Sequence, residues 1–127
     1  MPKGEEVLDL ISRILSEEGF AVTANVSVEG LSGYSHVFHL LARKGDHALL
    51  IDTAQDVFSF LASLAKRIDV PGYRFLVVVE EGSIKGVLPD VVDRHPEDLK
   101  DITVVTYREL EEIQDKLRSL LRSMAPR

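Results

Sequence analysis

With 127 residues the chain has room for one domain with a two- or three-layer core and none for a second. Its 21 acids against 15 bases leave a formal charge of −6, which speaks against a domain that holds nucleic acid mainly by neutralising phosphates. The absence of cysteine excludes disulfide frameworks, thiolate metal sites and thiol nucleophiles, and no run approaches the roughly 20 apolar residues of a bilayer span.

The N-terminal residues Met1 to Glu6 carry no apolar run behind a basic start, so a secretion signal is not expected. The expected location is the cytoplasm, without membrane contact. From Gly4 to Glu18, Val7, Leu8, Ile11, Ile14 and Leu15 recur at three- and four-residue spacing, which predicts an amphipathic helix. Gly19 stands where a left-handed cap would end it. From Phe20 to Val28 the period drops to two, giving a strand with one wet face near a sheet edge. Gly30-Leu31-Ser32-Gly33 breaks that pattern. His36 to Ala42 and Ala48 to Thr53 then read as two strands joined by a turn at Lys44-Gly45-Asp46. Apolar residues fall on both faces of these strands, so they are expected inside the sheet and covered on two sides.

Asp56 to Ile68 returns to helical spacing, and Pro71-Gly72 ends it. Tyr73 to Val79 is a continuous β-branched run of the kind central parallel strands show. The segment from Glu80 to Asp101 is interrupted by Gly82, Gly86, Pro89 and Pro96, with one short helix expected around Pro89 to Asp93. Ile102 to Val105 reads as a fifth strand, and Thr106 with Glu109 as a capping box opening the last helix. Only Met1 to Lys3 and Ala125 to Arg127 look loose. A three-strand meander followed by a right-handed β-α-β crossover gives a mixed sheet with helices on both faces.

The chemistry-bearing residues concentrate between Ser32 and Asp56, SGYSHVFHLLARKGDHALLIDTAQD. A hairpin there brings a histidine beside Asp52, and the turn decides which one. With Lys44 to His47 as a four-residue loop, Arg43 pairs with Ala48 and His39 lies opposite Asp52. With a three-residue loop, Asp52 shares a face with His36 and Phe38 instead. Asp52 follows Leu49-Leu50-Ile51, so it is expected to be buried and to need a donor close by.

This order of elements, with these residues, resembles the restriction-endonuclease-like superfamily, the PD-(D/E)XK nucleases, and in particular its archaeal and bacterial predicted-endonuclease branch. The resemblance implies an α/β fold: a three-layer sandwich in the order α-β-β-β-α-β-(α)-β-α, one domain over 1–127 with its core at about 4–121. Ser32-Gly33 and His36 match the branch's motif. His39 stands where the motif has its first aspartate, Asp52 at the acidic position, and Ala54 where it has lysine. In the family the two carboxylates hold magnesium, and the lysine steadies the attacking water and the charge on the scissile phosphate. Alanine can do neither.

The resemblance leaves Asp52 and His39 as the candidate metal ligands, with His36 as a third and Ser32 and Gly33 as motif remnants. Imidazole suits zinc, manganese or iron better than magnesium. Lys66 is the candidate for a relocated lysine. Glu6, beside Glu5 and Asp9, is the candidate for the glutamate the family often carries on its first helix. Each has a plain structural alternative: a hydrogen-bonded sheet histidine, a helix cap at Asp52, a helix-end base, acids in a first helical turn. The reading is a catalytically degenerate nuclease-fold domain that serves as a binding or assembly module. No cofactor is then expected, and the expected partner is a second copy or another protein. Leu117, Leu120, Leu121 and Met124 form the stripe available for a dimer face. The rival is an active metal-dependent DNA endonuclease using Mg or Mn at Asp52 with His39 or His36 and a relocated lysine. A flavodoxin-like ligand domain is disfavoured by the antiparallel meander. Three basic pairs, Arg43 with Lys44, Lys66 with Arg67 and Arg118 with Arg122, are expected to be ordinary solvated surface.

Overall fold

The structure is a computed structural model in which residues 4–83 and 102–123 are described. The chain runs α1 (Gly4–Glu17), β1 (Ala21–Glu29), β2 (Ser35–Lys44), β3 (His47–Ala54), α2 (Val57–Asp69), β4 (Arg74–Glu80), a single 3-10 turn (Glu81–Ser83), β5 (Ile102–Tyr107) and α3 (Leu110–Ser123). The expected short helix around Pro89 to Asp93, Met124 and both expected loose ends lie outside the described residues.

The five strands form one sheet in the order β1-β2-β3-β4-β5. The first three pair antiparallel, and β3 with β4 and β4 with β5 pair parallel. An α/β architecture with a mixed five-stranded sheet is therefore observed. Two apolar clusters cover its two faces. One joins α1 and α3 to Leu40, Ala42, Leu49, Ile51, Leu76 and Val78. The other joins Phe60 and Leu64 of α2 to Phe38, Leu50, Ala54, Phe75, Val77 and Val79. Phe75 to Val79 of β4 are all buried because they feed both clusters in alternation.

Local chemistry sets the element ends. Gly19, at φ 91°, closes α1: its N–H reaches the Ser16 carbonyl and that of Phe20 reaches the Leu15 carbonyl, the paired bonds of a Schellman cap. Asp56 caps α2 reciprocally with Ser59, and the Ser59 backbone N–H is the main cause holding the Asp56 carboxyl below its usual range. At α3 the structure corrects the sequence reading. Thr106 belongs to β5, which runs two residues further than expected, and the carboxylate that accepts the opening N–H groups, of Arg108 and Glu109, is that of Glu112. These two bonds also lower the Glu112 pKa.

The stripe on α3 is core. Leu117 and Leu121 are buried and Leu120 packs against the same cluster, so this stripe is not an open dimer face. Arg118 meets Glu17 at 2.6 Å and Glu18 at 3.1 Å, and Arg122 lies 3.5 Å from Glu18, so this basic pair fastens α3 to α1.

The meander is less regular than its sequence. Pairing of β1 with β2 skips Asn25, which sits at φ 53° between Ala24↔Leu40 and Val26↔Phe38. Across that kink both strands change sides: Val22 packs with the α1 and α3 cluster but Val28 with the α2 cluster, and Leu40 with the first but Phe38 with the second. Val37, expected to be covered, is 56% exposed.

Candidate functional site

The hairpin has the register in which Arg43 pairs with Ala48, and strand pairing extends to Lys44 with His47. Gly45 and Asp46 alone make the turn, with Gly45 at φ 58° supplying the left-handed residue such turns require. The described pairs of β2 and β3 end at Leu40↔Ile51. Side chains make the next bonds. The His39 backbone N–H donates to Asp52 Oδ1 at 3.0 Å, and the Thr53 backbone N–H donates to His39 Nδ1 at 3.0 Å. A neutral His39 ring holding that second bond carries its proton on Nε2.

The face change at Asn25 then has a consequence for Asp52. The hairpin register puts Asp52 opposite His39, alternation with Leu50 and Ala54 puts it beneath α2, and because Phe38 has moved to the α2 side the two share that face. Its side chain is 1% exposed. Ser63 Oγ donates to Oδ2 at 3.1 Å, and Lys66 Nζ stands 2.6 Å from the same oxygen. Lys66 also donates to the Val37 carbonyl at 2.7 Å and lies 4.7 Å from the centre of the Phe38 ring. Three contacts thus fix an ammonium with three donors, and both oxygens of the buried carboxylate are occupied. Ala54, at the position where the resemblance places lysine, is fully buried among the apolar side chains under α2.

The motif remnants Ser32, Gly33 and His36 assemble around a different carboxylate. Asp69, the last residue of α2, accepts from the Ser32 backbone N–H at 2.8 Å and from Ser32 Oγ at 2.5 Å, and His36 Nε2 lies 2.7 Å from it. Its backbone carbonyl takes the Leu31 N–H at 2.8 Å. Gly33, at φ 91°, closes the turn with its N–H on the Gly30 carbonyl. The clasp ties the β1–β2 connection to the end of α2, and His36 belongs to it. Glu6 is exposed on α1, where with Asp9, Arg13 and Glu111 it lines a groove between α1 and α3. That is the sheet face opposite the Asp52 carboxylate.

Two tests of the clasp follow from these contacts. A Cβ on Gly30 would stand 2.1 Å from Asp69 Oδ2 and 2.9 Å from its backbone oxygen. Gly30→Ala is therefore expected to destabilise by about 1–3 kcal/mol in denaturant unfolding, because one side of the clash is backbone. The Ser32 hydroxyl, then His36, then the Ser32 N–H hold the Asp69 pKa below its ordinary 3.8. A depressed folded pKa contributes stability that is complete above the unfolded value and disappears as pH falls through the folded one. The stability difference between wild type and Asp69→Asn should close as pH falls below 3.8.

Sequence reasoning missed Ser63 and Asp69. With Lys66 they stand at three-residue steps along α2, a polar row beside the buried Phe60 and Leu64. An acid in the last turn also opposes the helix dipole and marks a residue held by something else.

The donor set does not fit a divalent cation while Lys66 is in place. A metal on Asp52 would share a buried oxygen with an ammonium 2.6 Å away. His39 Nδ1 is committed to Thr53, and among the described residues no group of three His, Asp or Glu side chains is placed to hold a metal ion.

No protein-family model matches the chain, and no curated protein matches it significantly. Among solved structures it is similar to the crystal structure of a protein of unknown function, AF1548, with a TM-score of 0.57 and 16% identity. The match covers 87% of this chain and 66% of that one. At that identity the similarity concerns the fold alone.

Proposed function

We propose that this chain is a restriction-endonuclease-like domain in which a lysine–carboxylate pair has replaced the metal centre, and that it acts as a binding or assembly module. The carrying observation is Lys66 Nζ at 2.6 Å from the buried Asp52 Oδ2, where a metal would have to sit. Ala54 in the apolar core supports the same reading, since the position that serves hydrolysis in that superfamily packs a methyl group here. The order of a meander, the α2 crossover and parallel β4 and β5 supports the assignment to that fold. A role beside DNA or RNA transactions fits the resemblance, although the charge of −6 favours a protein partner over bare phosphate contacts.

One observation favours the rival, an active endonuclease: Lys66, from α2, stands beside Asp52 as a relocated lysine would need to. Incubation of the protein with plasmid, linear and branched DNA under Mg²⁺ or Mn²⁺ separates the two readings. The expected result is no cleavage above that of Asp52→Asn. Cleavage that vanishes in Asp52→Asn and in Lys66→Met would overturn the proposal in favour of the nuclease.

A further inference from the structure

Among the described residues the sheet has two open edges, and they differ. At β1 the kink at Asn25 interrupts pairing midway, a device that spoils an edge for a further strand. β5 runs against β4 from Ile102 to Tyr107 without a skip, so its far side is a regular edge.

Lys116 shows which groups that side presents. Its Nζ reaches from α3 to the Thr106 carbonyl at 2.7 Å and to Thr106 Oγ1 at 3.4 Å. In a parallel strand the N–H and C=O of one residue point to the same side, and successive residues alternate. An outward Thr106 makes Val104 outward as well, while Thr103, Val105 and Tyr107 bond β4. Among the described residues no group takes the N–H of Val104 or Thr106, or the Val104 carbonyl. A groove of about 550 Å³ follows these groups between β5 and α3, with Ser119, Leu120 and Ser123 on its helix side.

We infer that this edge takes an extended segment of a partner protein as a sixth strand, with a carboxylate of that segment on Lys116. Donors and acceptors that recur at every second residue are matched in full by another extended backbone, whose pairing also fixes its register. The charge selects the acid. Both hydrogen bonds of Lys116 go to uncharged oxygens, and Glu112, whose carboxylate feels this ammonium, is committed to the N–H groups of Arg108 and Glu109. Asp115 lines the same groove and disfavours a segment with several acids. The inference rests on β5 and α3 alone and stands whether or not the Asp52 site cleaves DNA.

Amide hydrogen exchange of the whole chain tests the edge first. Val104 and Thr106 should exchange on the order of 100-fold faster than Thr103 and Val105. Random segments of about eight residues are then selected by display on the immobilised protein, and the enriched ones synthesised. These should carry an acid and slow the Val104 and Thr106 amides in the complex. Val104→Pro removes an outward N–H, which an edge strand tolerates, and should weaken their binding about ten-fold or more. Lys116→Gln leaves the backbone untouched and should weaken it about two- to five-fold. A slow Val104 amide in the free chain, the absence of any enriched segment, or binding indifferent to both substitutions overturns the proposal. Protection of Val104 that grows with protein concentration overturns it too, in favour of a second copy.

Discussion

Lys66→Met is expected to lower the unfolding free energy by about 3–5 kcal/mol, because it leaves the Asp52 carboxylate charged, 1% exposed and without its counter-ion. Methionine keeps a similar length and can stay on the Phe38 ring, so lost packing contributes little. What remains around Asp52 is the Ser63 hydroxyl, the His39 backbone N–H and the His39 ring, whose Nδ1 is 3.5 Å from Oδ1 and accepts from Thr53, and these do not replace an ammonium. The Val37 carbonyl loses its lysine donor as well. Thermal unfolding should fall by about 10 °C or more. The double variant Asp52→Asn with Lys66→Met removes the orphaned charge and should recover most of the loss. Denaturant unfolding of the two singles and the double gives the coupling energy directly. A loss below about 0.5 kcal/mol for Lys66→Met would reduce the contact to an ordinary surface ion pair.

Leu117→Ala should cost about 2–5 kcal/mol, because the side chain is fully buried where α3 meets α1 and the sheet. The measurement also separates the two uses of the α3 stripe. A core residue lowers stability by an amount that does not depend on protein concentration. If Leu117→Ala left the monomer's stability unchanged and shifted only its association, Leu117 would have to belong to an interface and the packing described above would be wrong.

The sheet was legible because each element carries an unambiguous period or terminator. The sequence leaves the hairpin register open between a three- and a four-residue loop; in the structure the two-residue Gly45-Asp46 turn fixes it, with His39 opposite Asp52. The faces were harder. Phe38 and Leu40 have the same parity, so alternation places them together, and only the left-handed Asn25 in the neighbouring strand moves them apart. Nothing in the alternation of β1 marks that kink. It is also what brings Phe38 under α2 beside Asp52, which ordinary alternation with Leu50 and Ala54 already places there.

Lys66 beside Arg67 reads as a helix-end base on solvent. Its true environment follows from a wider view of α2, in which Ser63, Lys66 and Asp69 share a row that must face something polar. Lys66 and Asp69 each found a partner across the helix–sheet interface: Lys66 meets Asp52, and Asp69 meets the Ser32 and His36 clasp. The motif residues around Ser32 are thereby accounted for by a structural role, fastening a connection to the end of a helix. Thr106 and Glu109 show the opposite error. Their spacing matches a capping box, but β5 continues through Thr106, and Lys116 takes its carbonyl at 2.7 Å.

In the reading proposed above, Lys66 holds the place a metal would take at Asp52. Amide resonances of the labelled protein titrated with Mn²⁺ test it most directly, since a paramagnetic ion broadens nearby signals whether or not any reaction occurs. The amides of His39, Thr53 and Ser63 are expected to remain as sharp as those on α3. Selective broadening at these three residues in the wild type, lost in Asp52→Asn, would contradict it.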